Sequence, residues 1–364
     1  MKIDLIAGAR PNFMKVAPIF EALETEREAG ADFEVRLIHT GQHYDKNLSE
    51  TFFEELGLPH PTVNFDARGG SHAEQTGRIM LAYEQWLQKS KTDLCLVVGD
   101  VNSTLACAVS AKKAQVCLAH VEAGLRSGDM SMPEEVNRIA VDSLSDLFFT
   151  TTLQAGERLR NNGVADAKIH FVGNTMIDTL RKQIPHFSKP AVWDELGLQG
   201  GAFIVVTLHR PSNVDDGKRL SEILNQIAAG SRGKPVLFPV HPRTAEVLKK
   251  TGFAHPAIHL LPPLPYREFN YLVSQAQAVL TDSGGITEET TVLGIPCITL
   301  RENTERPETV EIGTNVLAGL DPANIEALLD RVFEGKWAKG EIPERWDGQA
   351  GFRIAAVLKE LLNS

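Results

Sequence analysis

The sequence predicts an α/β protein built from two doubly wound domains that face a central cleft, and three observations lead there. Its 364 residues exceed what one hydrophobic core usually supports, since chains beyond ~250–300 residues tend to split into domains. Short apolar runs alternate with amphipathic stretches along the whole chain, which is the rhythm of strand–helix units. Those runs are apolar at consecutive positions, so each strand is covered on both faces and the sheets are parallel.

Taken in order, the first half offers strands over 3–7, 35–39, 94–98, 116–121 and 147–150, with helices over 14–27 and 103–113. After Gly173 the polar, proline-bearing stretch from Lys182 to Pro190 reads as a connection. A second series follows, with strands over 203–207, 236–239, 258–261, 278–281 and 297–300. The tail places Ile354, Val357, Leu358, Leu361 and Leu362 on one helical face, fit to dock back on the first domain. The predicted domains are therefore residues 1–172 with a returning helix at 350–364, and residues 173–349.

Composition narrows the class. Hydrophobic residues at 43% and charged residues at 23% are those of a globular protein. Met1 to Ala7 holds an acid within a short apolar run, which reads as a first strand rather than a signal peptide. No stretch approaches the ~18 apolar residues of a membrane span, so the expectation is a cytoplasmic protein without membrane contact. Cys95, Cys107, Cys117 and Cys297 sit widely spaced in apolar segments and read as reduced and structural. A net charge of -10 argues against nucleic acid, and any anionic substrate must find local cations.

The turn after the first strand, Gly8-Ala9-Arg10-Pro11-Asn12-Phe13-Met14-Lys15, lacks the Gly-x-Gly-x-x-Gly dinucleotide fingerprint. Arg10 and Lys15 flank a helix start, where two cations and a helix N-terminus suit phosphate oxygens; surface solvation is the plain alternative. Asp282-Ser283-Gly284-Gly285 follows a strand and opens a helix, presenting backbone N–H groups and a hydroxyl to an anion. Ordinary N-cap chemistry uses the same residues. Glu289, one turn on, suits ribose or sugar hydroxyls, and Arg306 in Glu305-Arg306-Pro307-Glu308 is a cation on the next loop.

Asp100, Glu122 and Glu134 end strands or start helices of the first half. Converging carboxylates suit acid and base work at a carbon centre. An N-cap explains Asp100 and a first-turn acid explains Glu134, whereas Glu122 ends a buried apolar strand and calls for a reason. His209, after the first strand of the second half, suits phosphate binding or proton donation in such company.

Together, Gly8-Ala9-Arg10-Pro11 with Lys15, Thr40-Gly41-Gln42-His43, Gly99-Asp100, His120-Val121-Glu122-Ala123-Gly124-Leu125-Arg126, Pro133-Glu134-Glu135 with Asn137-Arg138, His209-Arg210, Asp282-Ser283-Gly284-Gly285 and Glu305-Arg306-Pro307-Glu308 resemble the non-hydrolysing UDP-N-acetylglucosamine 2-epimerases. The resemblance spans nearly the whole chain. It implies a GT-B-like fold of two Rossmann-like domains, a homodimer, a UDP-sugar substrate, and no cofactor or metal. It implies substrate contacts at Arg10, Lys15, Arg138, His209, Leu264, Phe269, Ser283, Gly284, Gly285, Glu289 and Arg306. Catalysis falls to Asp100, Glu122, Glu134 and His209, with Asp100 and Glu122 also touching substrate.

The implied chemistry is C2 inversion through loss of UDP to a glycal and its return. A glycosyltransferase of the same fold, an epimerase of a UDP-diacetamido uronic acid, and a hydrolysing epimerase are the competing readings. Asp45 stands where regulated members carry a neutral Gln, so allosteric activation is not expected. Leu264 replaces a Gln near the uracil, leaving only backbone contacts there.

Overall fold

The computed structural model describes residues 1–41, 53 and 55–362. The chain divides into two compact units, Met1–Arg181 with Glu344–Ser364, and Lys182–Pro343.

The first unit holds seven strands: β1 (Lys2–Ala7), β2 (Glu34–His39), β3 (Val63–Asn64), β4 (Leu94–Val98), β5 (Cys117–Val121), β6 (Leu147–Thr150) and β7 (Ile169–Phe171). They form one sheet in the order β3-β2-β1-β4-β5-β6-β7, parallel at every pairing. The central strands are buried along their length, which is why they read as unbroken apolar runs. The acid inside β1 is Asp4, fully buried, and it is matched by Arg36 at 2.6 Å and by the hydroxyls of Thr92 and Tyr83.

The second unit has β8 (Ile204–Thr207), β9 (Val236–Pro239), β10 (Ile258–Leu261), β11 (Ala278–Thr281), β12 (Cys297–Thr299) and β13 (Asn315–Leu317). Their order is β10-β9-β8-β11-β12-β13, again parallel throughout. Ile204 and Val206 of β8 face one hydrophobic cluster while Phe203 and Val205 face another. Helices therefore cover both faces of this sheet.

Helix Thr175–Gln183 carries the first unit past residue 172: Thr179 donates to the Met14 carbonyl, and Asp178 accepts the Gly351 N–H at 2.7 Å. Helix Ala350–Leu362 lies on helix Arg10–Glu28, closely enough that Gly351 faces the Pro18 carbonyl and Lys359 pairs with Glu26. Cys95, Cys107 and Cys297 are buried, whereas Cys117 is exposed at the start of β5. Its place in the apolar run 116–121 thus does not bury Cys117, which opens the strand between the buried Val116 and Leu118.

Candidate active site

In each sheet the strand order reverses once, between β1 and β4 in the first unit and between β8 and β11 in the second. Ligands of open parallel sheets bind outside the carboxyl ends of the strands at that reversal. The chemistry-bearing motifs sit at these two edges.

At the first edge, β1 ends at Gly8, where a Cβ would collide with Ser103 and Thr40, so only glycine lets the chain pass. Helix Arg10–Glu28 begins at once, and Asn12 ties it to β4 by donating to the Val98 carbonyl at 3.0 Å. Lys15, one turn along, reaches Glu122 at the end of β5 at 2.5 Å. Gly99 lies beside this pair, with Glu122 Oε2 3.4 Å and Lys15 Nζ 3.6 Å from where its Cβ would be. Lys15, Glu122 and the Gly99-Asp100 turn are thus brought together. The Arg10 side chain lies outside what the structure describes.

Glu122 adopts the left-handed backbone with φ 69°, a conformation that strains any residue with a Cβ and is retained where a side chain is needed. Its neighbours are pinned on both sides. Gly99 N–H donates to the Val121 carbonyl, Ala123 N–H to the Phe149 carbonyl, and Gly124 N–H to Asp142. Asp142 is itself held by His120 at 2.8 Å and Arg126 at 2.7 Å, while His120 Nε2 bonds the Gly99 carbonyl at 3.0 Å. Burial raises the Asp142 carboxyl, but the His120 and Arg126 partners outweigh it and hold it below its usual range.

Helix Pro133–Leu144 supplies Arg138, which grips Asp100 through Nε at 2.9 Å and Nη2 at 2.6 Å and reaches Glu135 at 2.7 Å. Glu134 stands half-buried in the first turn of that helix. Glu135 is buried and accepts the Ser127 and Gly128 N–H groups; these bonds and Arg138 overcome the effect of burial and keep its carboxyl ionised below the usual range.

At the second edge, Asp282 is the hub. Fully buried after β11, it accepts the backbone N–H groups of His209 and Arg210 and the Asn213 amide, all at 3.0–3.1 Å, and the His209 ring at 2.7 Å. Against the raising effect of burial, these donors hold Asp282 low. The His209 ring is 59% exposed, so Nδ1 is fixed by Asp282 and Nε2 is left outward. Ser283 is the N-cap of helix Gly284–Leu293, yet its hydroxyl makes no capping bond.

Glu289 is buried under this helix, accepts the Tyr266 hydroxyl at 2.7 Å, and is pushed by burial up to about 7 although Tyr266 and Asn270 oppose the rise. Arg306 is buried and paired with Glu288 at 2.6 Å. Leu264 and Phe269 are half-buried and pack against the core around Val205 and Val279. Lys15, Arg138 and Arg306, expected on substrate, are thus each matched to a carboxylate of their own unit. Gln42, His43 and Asp45 lie outside the described residues.

Asp142 and Asp282 organise the two edges, yet neither is among the residues that the sequence marks for a role of their own. Asp282 carried a usable signal, an acid directly after a buried strand. Asp142 carries none, since it stands alone among apolar and hydroxyl residues. Among the described residues no cluster of three or more His, Cys, Asp or Glu is placed to hold a metal ion, and no helix is long and apolar enough to cross a membrane.

Two parallel, doubly wound units in one chain, each with polar side chains at its reversal, define a GT-B-like α/β enzyme. Comparison with known proteins carries this to a family. Residues 25–359 match the family model described as UDP-N-acetylglucosamine 2-epimerase. A UDP-N-acetylglucosamine 2-epimerase of Methanocaldococcus jannaschii is 39% identical over 98% of this chain and 99% of its own length. A UDP-2,3-diacetamido-2,3-dideoxy-D-glucuronate 2-epimerase of Pseudomonas aeruginosa is 40% identical over 99% of this chain and 100% of its own. The M. jannaschii UDP-GlcNAc 2-epimerase solved in complex with UDP-GlcNAc and UDP superposes with a TM-score of 0.87 at 38% identity, covering 99% of this chain and 100% of that one. The chain belongs to the UDP-N-acetylglucosamine 2-epimerase family.

Proposed function

We propose that the protein inverts C2 of a UDP-N-acetylhexosamine, interconverting UDP-N-acetylglucosamine and UDP-N-acetylmannosamine without net hydrolysis. The observation that carries this reading is the division of labour between the two edges: carboxylates held in fixed geometry at one, and an anion-favouring helix N-terminus with an outward imidazole at the other.

C2 of such a sugar is not α to a carbonyl, so its hydrogen is barely acidic. When the C1–O bond breaks and its electron pair leaves with UDP, the ring becomes an oxocarbenium ion and the C2 proton becomes acidic. A carboxylate takes that proton, and the C2–H electrons form the C1–C2 double bond of a glycal. Protonation of C2 from the opposite face and attack of the UDP oxygen on C1 return the epimer.

Asp100, Glu122 and Glu134 are the groups proposed to move the proton and to stabilise the cation, a role worth ~10²–10⁴-fold for each proton transfer. Lys15 and Arg138 fix two of these carboxylates at 2.5 and 2.6 Å, so their positions are set before substrate arrives. Ser283, Gly284, Gly285 and His209 are proposed to take the diphosphate, with Arg10 and Arg306 as further cations, and Glu289 to take the ribose. A homodimer and a cytoplasmic setting complete the reading.

Turnover in deuterated water tests it. Deuterium is expected at C2 of the product, with no free sugar early in the reaction. Epimer that keeps its C2 protium overturns the elimination. The second substrate reading rests on the 40% identical P. aeruginosa relative, and a panel holding UDP-N-acetylglucosamine and UDP-2,3-diacetamido-2,3-dideoxyglucuronate decides between the two.

A further inference from the structure

Helix Gly284–Leu293 has no acidic residue in its first turn and no side-chain cap from Ser283. Its positive end is nevertheless met by a carboxylate. Glu305, on the loop after β12, places Oε1 only 2.5 Å from where a Cβ on Gly284 would stand. Its other oxygen accepts Arg301 Nη2 at 2.6 Å, in a pair whose side chains are 4% and 12% exposed. Arg301 Nη1 lies 4.0 Å from the same Gly284 position, and Arg301 Nε is buried with no hydrogen-bond partner among the described residues. A carboxylate, a guanidinium with a spare donor and a helix N-terminus therefore share one spot.

We infer that Arg301 and Glu305 form an exchange pair for the diphosphate: Glu305 holds the helix end until the diphosphate takes its place, and Arg301 passes from the carboxylate to a phosphate oxygen. The inference rests on the proposed UDP-sugar reading and adds two residues to it. The physical ground is that two anions cannot share one helix end, where the macrodipole favours one negative group and like charges repel. Nor does the exchange strand a buried charge. Arg301 trades one charge-assisted, two-oxygen partner for another, and its unused Nε gains an acceptor. Glu305 is carried by the loop after β12 and by no strand, so its release needs no change in the sheet. Arg306, already proposed as a cation for the diphosphate, starts from its own pair with Glu288 on the same helix. During the life of the glycal, when UDP is bound to the sugar by no covalent bond, Arg301 would be the group that keeps it from leaving.

The test is titration calorimetry of UDP and of uridine against the full-length protein and its Glu305→Gln and Arg301→Gln variants. Gln keeps the shape of Glu305 and removes its charge. Glu305→Gln is expected to bind UDP about three- to tenfold more tightly, with uridine affinity unchanged. Arg301→Gln is expected to weaken UDP by about ten- to a hundredfold, again with uridine unchanged, and Arg301→Lys to fall between.

Circular dichroism on each variant identifies any that misfolds, in which case Glu305→Asp, with its carboxylate withdrawn by one methylene, carries the test and is also expected to bind UDP more tightly. Unchanged or weaker UDP binding in folded Glu305→Gln overturns the exchange while leaving the UDP-sugar reading standing. Failure of the unmodified protein to bind UDP overturns both.

Discussion

Two histidines of this chain are joined through Nδ1 to a buried aspartate at nearly equal lengths, His120 to Asp142 at 2.8 Å and His209 to Asp282 at 2.7 Å. Both aspartates are held low by surrounding donors. The difference lies at the other ring nitrogen. His120 is 1% exposed and spends Nε2 on the Gly99 carbonyl, so the whole ring is consumed in bracing the turns that carry Asp100 and Glu122. His209 is mostly exposed, and its Nε2 is directed away from the pair. A histidine–carboxylate pair is thus neither structural nor chemical by itself. Whether the ring ends inside the sheet or beyond its edge decides which it is.

The comparison breaks most easily at the buried member. His120→Leu removes one partner of a buried, hydrogen-bonded pair and is expected to cost ~3–5 kcal/mol of stability, read from urea unfolding of the purified protein. A loss below about 1 kcal/mol would remove His120 from the framework of the site.

His209→Gln is the mirror case. Its ring is mostly exposed, and the buried Asp282 keeps the backbone N–H groups of residues 209 and 210 and the Asn213 amide without it, so the unfolding midpoint should move far less, whereas kcat/KM for the UDP-sugar should fall ~10²–10⁴-fold. Equal damage to stability in the two variants would erase the distinction between the pairs.

A third carboxylate sharpens the role of the donors. Glu289 is as buried as Asp142, but it meets a tyrosine hydroxyl where Asp142 meets cations, and it is pushed up from 4.5 to about 7. A raised carboxyl binds its proton more tightly in the folded chain, so its contribution to stability is greatest below pH 4.5 and declines as pH rises to about 7. Glu289→Gln has no such slope. The stability of that variant relative to the unmodified protein should therefore climb by roughly 3 kcal/mol over this window. A difference that stays flat with pH would show that Glu289 titrates as an ordinary carboxyl in the fold.

What the sequence disclosed follows the same divide between inside and edge. Buried strands such as β4 and β11 announce themselves, because runs of five and three consecutive apolar residues belong inside a sheet. The rim strands β3, β7 and β13 went unread: they have two or three residues and are half-buried, so they leave no apolar run. Asp100, Glu122, His209 and Ser283 were legible because each breaks a pattern at the end of a run.

Asp142, Arg301 and Glu305 were not legible. Asp142 pairs with His120, 22 residues away, and although Arg301 and Glu305 stand only four residues apart, nothing local marks their place at the start of helix Gly284–Leu293. Lys15 and Arg306 were found as cations, but a sequence cannot tell that Glu122 and Glu288 already answer them.

The first unit is written in two pieces, residues 1–181 and 344–364, with the second unit between them. Helix Arg10–Glu28, which carries Lys15, leaves the ribosome long before the helix that covers its outer face, Ala350–Leu362. At ~5–20 residues per second the segment between these helices, 29–349, takes roughly fifteen to sixty-five seconds to synthesise. By the end of that interval the second unit has all of its strands, while the first still lacks a wall. A stop codon just before Ala350 would leave the later-made unit whole and bare the surface around Pro18 and Ile19, giving chaperones and proteases a hold on a segment translated long before its cover.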